Sequence, residues 1–188
     1  CCMCRATSEA AGLSTPPRAS SGCLPIRQST SLGDMQTIWQ REQVITHTMC
    51  LARCYRRFTG RDLLPGLFNP AGLARGVFEA PFIVVSHGTE ADPVLNYGNQ
   101  AALQLWEMSW AELTCTPSRL TAEAPEREER ARLLAAVTAN GFIDDYSGIR
   151  ISKSGRRFRI ARATVWNLVT ESGEPCGQAA TFSECKFL

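Results

Sequence analysis

Between residues 38 and 58 the side chains repeat with the period of a helix. Val44, Thr48, Leu51, Tyr55 and Phe58 fall at i, i+4, i+7, i+11 and i+14, and Ile45, Met49 and Ala52 lie beside them. This is one stripe on an amphipathic helix, and Gly60 is a stop signal for it. Left exposed, such a stripe would aggregate. It is therefore expected to pack on the outer face of a sheet or against a second chain. Asn69-Pro70 opens a shorter helical segment, 71–79.

The period then changes. The apolar run 82–86 suits a buried strand, Asp92-Pro93 marks a turn, and 94–97 returns as a second strand. Asn99 is a cap for a helix over 100–106, and Ser109 for one over 110–114. Pro125 stands where a helix accepts proline, 126–139 is helical with acids early, and Asn140-Gly141 ends it. Three strand-like runs close the chain, 142–153, 156–169 and 176–182. Ser154-Gly155 joins the first two as a tight hairpin. The order β-β-α-α-α-β-β-β predicts an α+β fold: a five-stranded antiparallel sheet with short helices on one face, preceded by an amphipathic helix.

Composition changes this picture only at the start of the chain. Residues 1–36 lack apolar periodicity, are rich in Ser, Thr and Arg, and read as a disordered leader or a transit peptide. The first residue is Cys, so the natural N-terminus is expected upstream. The remainder divides into a helical extension, 37–76, and a domain, 77–188. The net charge of +2 selects neither nucleic acid nor an acidic surface, and the apolar runs are far too short for a bilayer. Nine cysteines, with CxxC spacing only at Cys1 and Cys4 at the very start, do not form a secreted disulfide framework. They indicate a reducing, intracellular setting, cytoplasm or chloroplast, with mostly unbridged thiols.

The element order resembles that of a PAS domain, and the motifs are more specific. PFIVVSHGTEADPVLNYGNQAALQLWEMSW at 81–110, TPSRLTAE at 116–123, GFIDDYSGIRISKSGRRFRIARATVWNL at 141–168 and GQAATF at 177–182 resemble the MEKHLA domain, a PAS-related module. That module closes plant class III homeodomain–leucine zipper proteins and stands alone in algae and bacteria. The segment 39–65 also resembles the leading helix of the stand-alone forms. A homeodomain, zipper or lipid-binding segment does not fit into 188 residues beside this domain, so the DNA-binding role does not carry over. What the resemblance implies is the fold and a sensing or interaction role. It brings no known ligand, cofactor or activity.

PAS sheets cup a cavity beneath their short helices. The residues expected to line it here are His87, Asn96, Asn99, Trp106, Tyr146, Arg150 and Trp166, a few polar groups among apolar ones. The same residues also suit a solid core in which the Tyr and Trp tips make structural hydrogen bonds. Pro117-Ser118-Arg119 reads as a rigid, placed turn. Arg119 joins the candidate ligand contacts, or pairs with Glu123 or an acid of the next helix. A flavin-adduct site of the LOV type would need its thiol near Pro117. Cys115 stands two residues too early, and such chemistry tolerates little displacement.

Other constellations are weaker. His47, Cys50 and Cys54 share a helical face, but a closed zinc site would show paired spacing, so no metal is expected. In Arg156-Arg157-Phe158-Arg159 and Arg162, alternation places Phe158, Ile160 and Arg162 on one face. This is a charge-protected hairpin edge and not a nucleic-acid surface. Asp144 and Asp145 would point to opposite faces and cannot share a substrate. GxSxG, HExxH, P-loop and dinucleotide-binding glycine patterns are absent. The expectation is a non-catalytic module with a small-molecule ligand or a protein partner, a homodimer through the 38–58 helix and the sheet included. Nucleic acid and membrane are not expected partners.

Overall fold

The computed structural model describes residues 37–66, 69–122 and 126–188. The expected leader, Glu123 and Pro125 lie outside the described residues. After a short 3-10 turn, Ile38–Gln40, helix α1 runs Glu42–Thr59. Glu42 in its first turn and Arg56 and Arg57 in its last suit the helix dipole. Gly60 ends it at φ 71, and its N–H donates to the Arg56 carbonyl. Helix α2, Pro70–Phe78, starts on the Asn69 side chain, which accepts from Gly72 N–H at 2.7 Å. Strands β1, Ile83–His87, and β2, Leu95–Gly98, come next. Helices α3, Gln100–Trp106, and α4, Trp110–Leu113, follow the predicted caps Asn99 and Ser109. A 3-10 turn, Ser118–Thr121, leads to α5, Glu126–Asn140. Strands β3, Phe142–Ile151, β4, Arg157–Val169, β5, Pro175–Phe182, and β6, Glu184–Phe187, complete the chain.

The sheet is antiparallel with order β2-β1-β5-β4-β3, and β6 also pairs with β4. β6 was not foreseen. It is β5 continued past Ser183: Thr164 faces Thr181 and Ala161 faces Glu184 in one unbroken register. Two bulges decide which side chain lies on which face. Asp145 takes φ 62 on β3 and Arg162 takes φ 51 on β4, so each strand gains one residue and the register recovers. Simple alternation consequently fails in both strands. Arg162 leaves the face of Phe158 and Ile160 and is exposed, paired with Glu184. Asp144 accepts from Arg61 at 2.8 Å and from the Thr164 hydroxyl at 2.5 Å, a structural engagement.

Both faces of the sheet are covered. The inner face carries Ile83, Phe158, Ile160, Ala163 and Phe182 under α3 and α5. The outer face carries Val84, Tyr97, Trp166 and Leu168, packed with Val44, Leu51, Cys54 and Tyr55 of α1. The stripe that the sequence offered to a sheet or to a second chain is thus used by the chain's own sheet, with Cys54 added to it and Phe58 partly buried at its end. Thiols secure the far end of the contact. The Val169 N–H donates to Cys54 Sγ at 3.3 Å, and Arg53 Nη2 donates to the Val169 carbonyl at 2.8 Å. A hydrogen bond from Cys50, the Val169 N–H and the Arg53 charge hold the Cys54 thiol down at about 6, against the effect of burial.

One polar chain crosses this interface. Ser86 donates to Asn96 Oδ1 at 2.6 Å, so it can only accept from His47 Nε2, 2.8 Å away. Nε2 of His47 therefore carries a proton, and burial keeps the ring neutral. Burial holds its pKa at about 4, below the ordinary 6.5. Below pH 6.5 the unfolded chain takes up a proton that the folded chain refuses until about pH 4. Stability is complete above pH 6.5 and falls as pH drops through that window, by roughly 3 kcal/mol at 1.36 kcal/mol per pKa unit. Urea denaturation from pH 7 to 4 is expected to show this slope in the wild type and a flatter one in His47→Gln. Equal slopes would assign it to other groups.

Candidate functional site

Between the inner face and the helices lies a cavity of about 70 Å³. Its walls are mostly apolar: Val85 and Leu95 from β1 and β2, Ile160, Ala163 and Val165 from β4, Phe182 from β5, and Leu133 and Leu134 from α5. Polar and aromatic side chains stand among them; besides Ser86, Thr121 and Gln178, five come from four elements. Tyr146 and Arg150 share a face of β3 beyond the Asp145 bulge, and Arg150 donates to the Tyr146 hydroxyl at 3.1 Å. Trp106 closes α3, with its ring edge against Phe158 and Phe182 at 5.6 and 6.2 Å between centroids. His87 ends β1, and its Nδ1–H donates to the Gly88 carbonyl at 2.8 Å. Ser118 comes from the 3-10 turn, whose N–H is tied to the Pro93 carbonyl at 2.7 Å.

Two of these groups, Trp106 Nε1 and Ser118 Oγ, are buried and make no hydrogen bond. Native interiors rarely leave such groups unpaired. They give the cavity a chemistry of its own: donors in an apolar shell, able to fix a small polar head and surround its hydrocarbon.

The eight sequence candidates separate cleanly. His87, Trp106, Tyr146 and Arg150 line the cavity; Asn96, Asn99, Arg119 and Trp166 lie elsewhere. Trp166 is on the outer face, edge-on to Tyr55 at 4.9 Å. Alternation from Phe158 would place it inside, and the Arg162 bulge reverses that. Asn96 sits in a β1–β2 irregularity and serves Ser86 on the outer side. Asn99 is a buried structural cap. Arg119 is exposed and holds Asp92 through Nε, 3.0 Å from each carboxylate oxygen, and not an acid of the next helix. The predicted turn at 117–119 is present, but its cavity residue is Ser118, one position earlier. A buried hydroxyl next to a proline was the only signal for it.

The β3–β4 hairpin is tied to the end of α3 beside Trp106. Glu107, left-handed at φ 58, accepts from the Ser152 hydroxyl at 2.7 Å, from the Ser154 hydroxyl and from Arg156 at 3.1 Å. These bonds, the Ser154 one first, hold its carboxyl at about 2. Lys153 N–H donates to the Trp106 carbonyl at 3.1 Å. Cys115 is exposed and is not part of the cavity wall. His47 faces Ser86 whereas Cys50 and Cys54 face Val169. Among the described residues no group of three or more His, Cys, Asp or Glu is placed to hold a metal ion, and no helix is long and apolar enough to cross a membrane.

The sheet order, with α3, α4, the 3-10 turn and α5 inserted between β2 and β3, defines a PAS-type domain. Solved structures agree. A PAS domain of a protein from Colwellia psychrerythraea is 13% identical with a TM-score of 0.52, over 61% of this chain and 92% of that one. An RNA-binding light-oxygen-voltage receptor is 18% identical with a TM-score of 0.53, over 63% of this chain but only 34% of that one. At these identities the likeness is one of fold. The MEKHLA domain model matches residues 45–187, and the chain belongs to the MEKHLA domain family. The match includes α1, in keeping with the shared core of helix and sheet. No curated protein matches the chain.

Proposed function

We propose that this chain is a non-catalytic sensor module that binds a small molecule in its inner cavity and passes the change to α1. The observation that carries the reading is the pair of buried, unpartnered groups, Trp106 Nε1 and Ser118 Oγ, in the wall of an apolar cavity. β1 offers the route outward. His87 and Val85 line the cavity, and the intervening Ser86 accepts from His47 of α1. A ligand that displaces β1 reaches the helix in one step and shifts the balance between two packings.

The test is Ser118→Ala in the full chain, with native mass spectrometry of the wild type as purified. If Ser118 Oγ is kept for a ligand, its removal relieves an unpaired buried group in the ligand-free protein, and the stability of protein stripped of ligand is expected to stay level or rise by up to about 1 kcal/mol in urea. Ligand carried by the wild type is expected as a stoichiometric mass, diminished in the variant. A loss of more than about 1 kcal/mol with no bound mass in either protein would make Ser118 a core residue and the domain a filled interaction module.

A further inference from the structure

Arg150 brings a charge into this cavity, and among the described residues no opposite charge pairs with it. It is only 7% exposed. It lies opposite Phe158 in the β3–β4 pairing and faces the inner layer. Among the described residues no carboxylate pairs with it. Its partners are the Ile149 carbonyl at 2.8 Å, the Tyr146 hydroxyl at 3.1 Å and the Tyr146 ring, 5.4 Å to the centroid. These occupy two N–H donors of a fork that has five. Burying a charge without a counter-charge is costly, and proteins meet that cost by pairing it.

The surroundings point the same way. Trp106 Nε1 can only donate, and Ser118 Oγ beside the cavity has no partner. Gly148 permits the arrangement, since a Cβ there would strike the Tyr146 hydroxyl and come within 3.1 Å of Arg150 Nη1. Only a bare Cα lets the phenol and the guanidinium close over it. The wall thus offers one fixed positive charge and extra donors among apolar side chains such as Val85, Ile160 and Phe182.

We infer that the ligand of this cavity is a small monocarboxylate with an apolar body, its carboxylate held by Arg150; the inference rests on the cavity being a ligand site. A planar anion with a single charge matches one guanidinium fork. A phosphate dianion would leave a charge unmatched. The volume of about 70 Å³ admits roughly five to seven water-sized groups at ~10–15 Å³ each, which is a short-chain acid.

The experiment titrates the 15N-labelled full chain with pentanoate and with the neutral isostere pentanamide, reading the Trp106 indole N–H resonance assigned through Trp106→Phe. Pentanoate is expected to shift it at a Kd at least tenfold below that of pentanamide. In Arg150→Met that preference disappears while pentanamide binding persists. Equal affinities in the wild type would overturn the acid assignment and leave the cavity as a site for neutral ligands. If neither probe moves the resonance, the acid assignment and the ligand-site reading both fall. The wild-type comparison decides the matter even where Arg150→Met fails to fold.

Discussion

Asn99→Ala is expected to lower stability by about 3–5 kcal/mol, as several buried hydrogen bonds at ~1–3 kcal/mol each are lost together. Asn99 is fully buried. Its Oδ1 accepts from Val84 N–H at 3.0 Å and from Ala102 N–H at 3.1 Å. Its Nδ2 donates to the carbonyls of Phe82 at 2.6 Å and Val77 at 3.3 Å. One side chain thus starts α3, satisfies an N–H of β1 and closes the loop that joins α2 to β1. Alanine takes this partner from the Val84 and Ala102 N–H groups and from the Phe82 carbonyl, whereas the Val77 carbonyl still accepts from the Ala80 N–H. Asn99→Asp keeps the acceptors but turns a negative oxygen on the carbonyls, and is expected to be at least as damaging. Urea denaturation followed by tryptophan fluorescence measures both. A loss under about 1 kcal/mol for the alanine variant would mean that water or a local shift replaces these bonds.

Trp166→Ala is expected to cost about 3–5 kcal/mol. The indole is fully buried between β4 and α1. Its removal opens a hole beneath Tyr55 that neither a helix nor a sheet can collapse to fill. Trp166→Phe discriminates a packing role from a polar one. Trp166 Nε1 has no hydrogen-bond partner, so phenylalanine gives up some volume but no bond and is expected to stay within about 1.5 kcal/mol of wild type. A phenylalanine variant as unstable as the alanine variant would show that the indole N–H matters. If Trp166 lined the ligand cavity instead, small-molecule binding would change in the phenylalanine variant. On the outer face it is expected to be unaffected.

Asn99 and Trp166 also mark where sequence reading succeeds and where it stops. The cap at Asn99 was legible because capping is local: an acceptor side chain reaches N–H groups two or three residues on. Its hold on β1 and on the carbonyls before it was not legible, since those contacts span 15 to 22 residues. Trp166 was legible as a buried aromatic but not as an outer-face one. Face depends on parity, and a single left-handed residue at Arg162 reverses parity for the remainder of β4. Nothing in the residue type at that position announces the bulge. Ser118 was missed and Arg119 chosen for a related reason. The charged residue drew attention, but the 3-10 turn aims the hydroxyl inward and leaves the guanidinium at the surface with Asp92.

The sequence by itself determined a helix within 38–58, the order of the helices and of the first five strands, the caps at Asn99 and Ser109, the stop at Gly60, and the family, because periodicity, capping and turn chemistry act over a few residues at a time. Tertiary structure alone decided four things. It set the sixth strand as a continuation of the fifth. It seated α1 on the outer face of the sheet. It divided eight candidate residues between a cavity and three other places. It also buried Arg150 with no acid beside it among the described residues. Each of these depends on pairing register and on which face a side chain takes. Both are set by contacts between residues far apart in the chain, where one extra residue in a strand exchanges inside for outside.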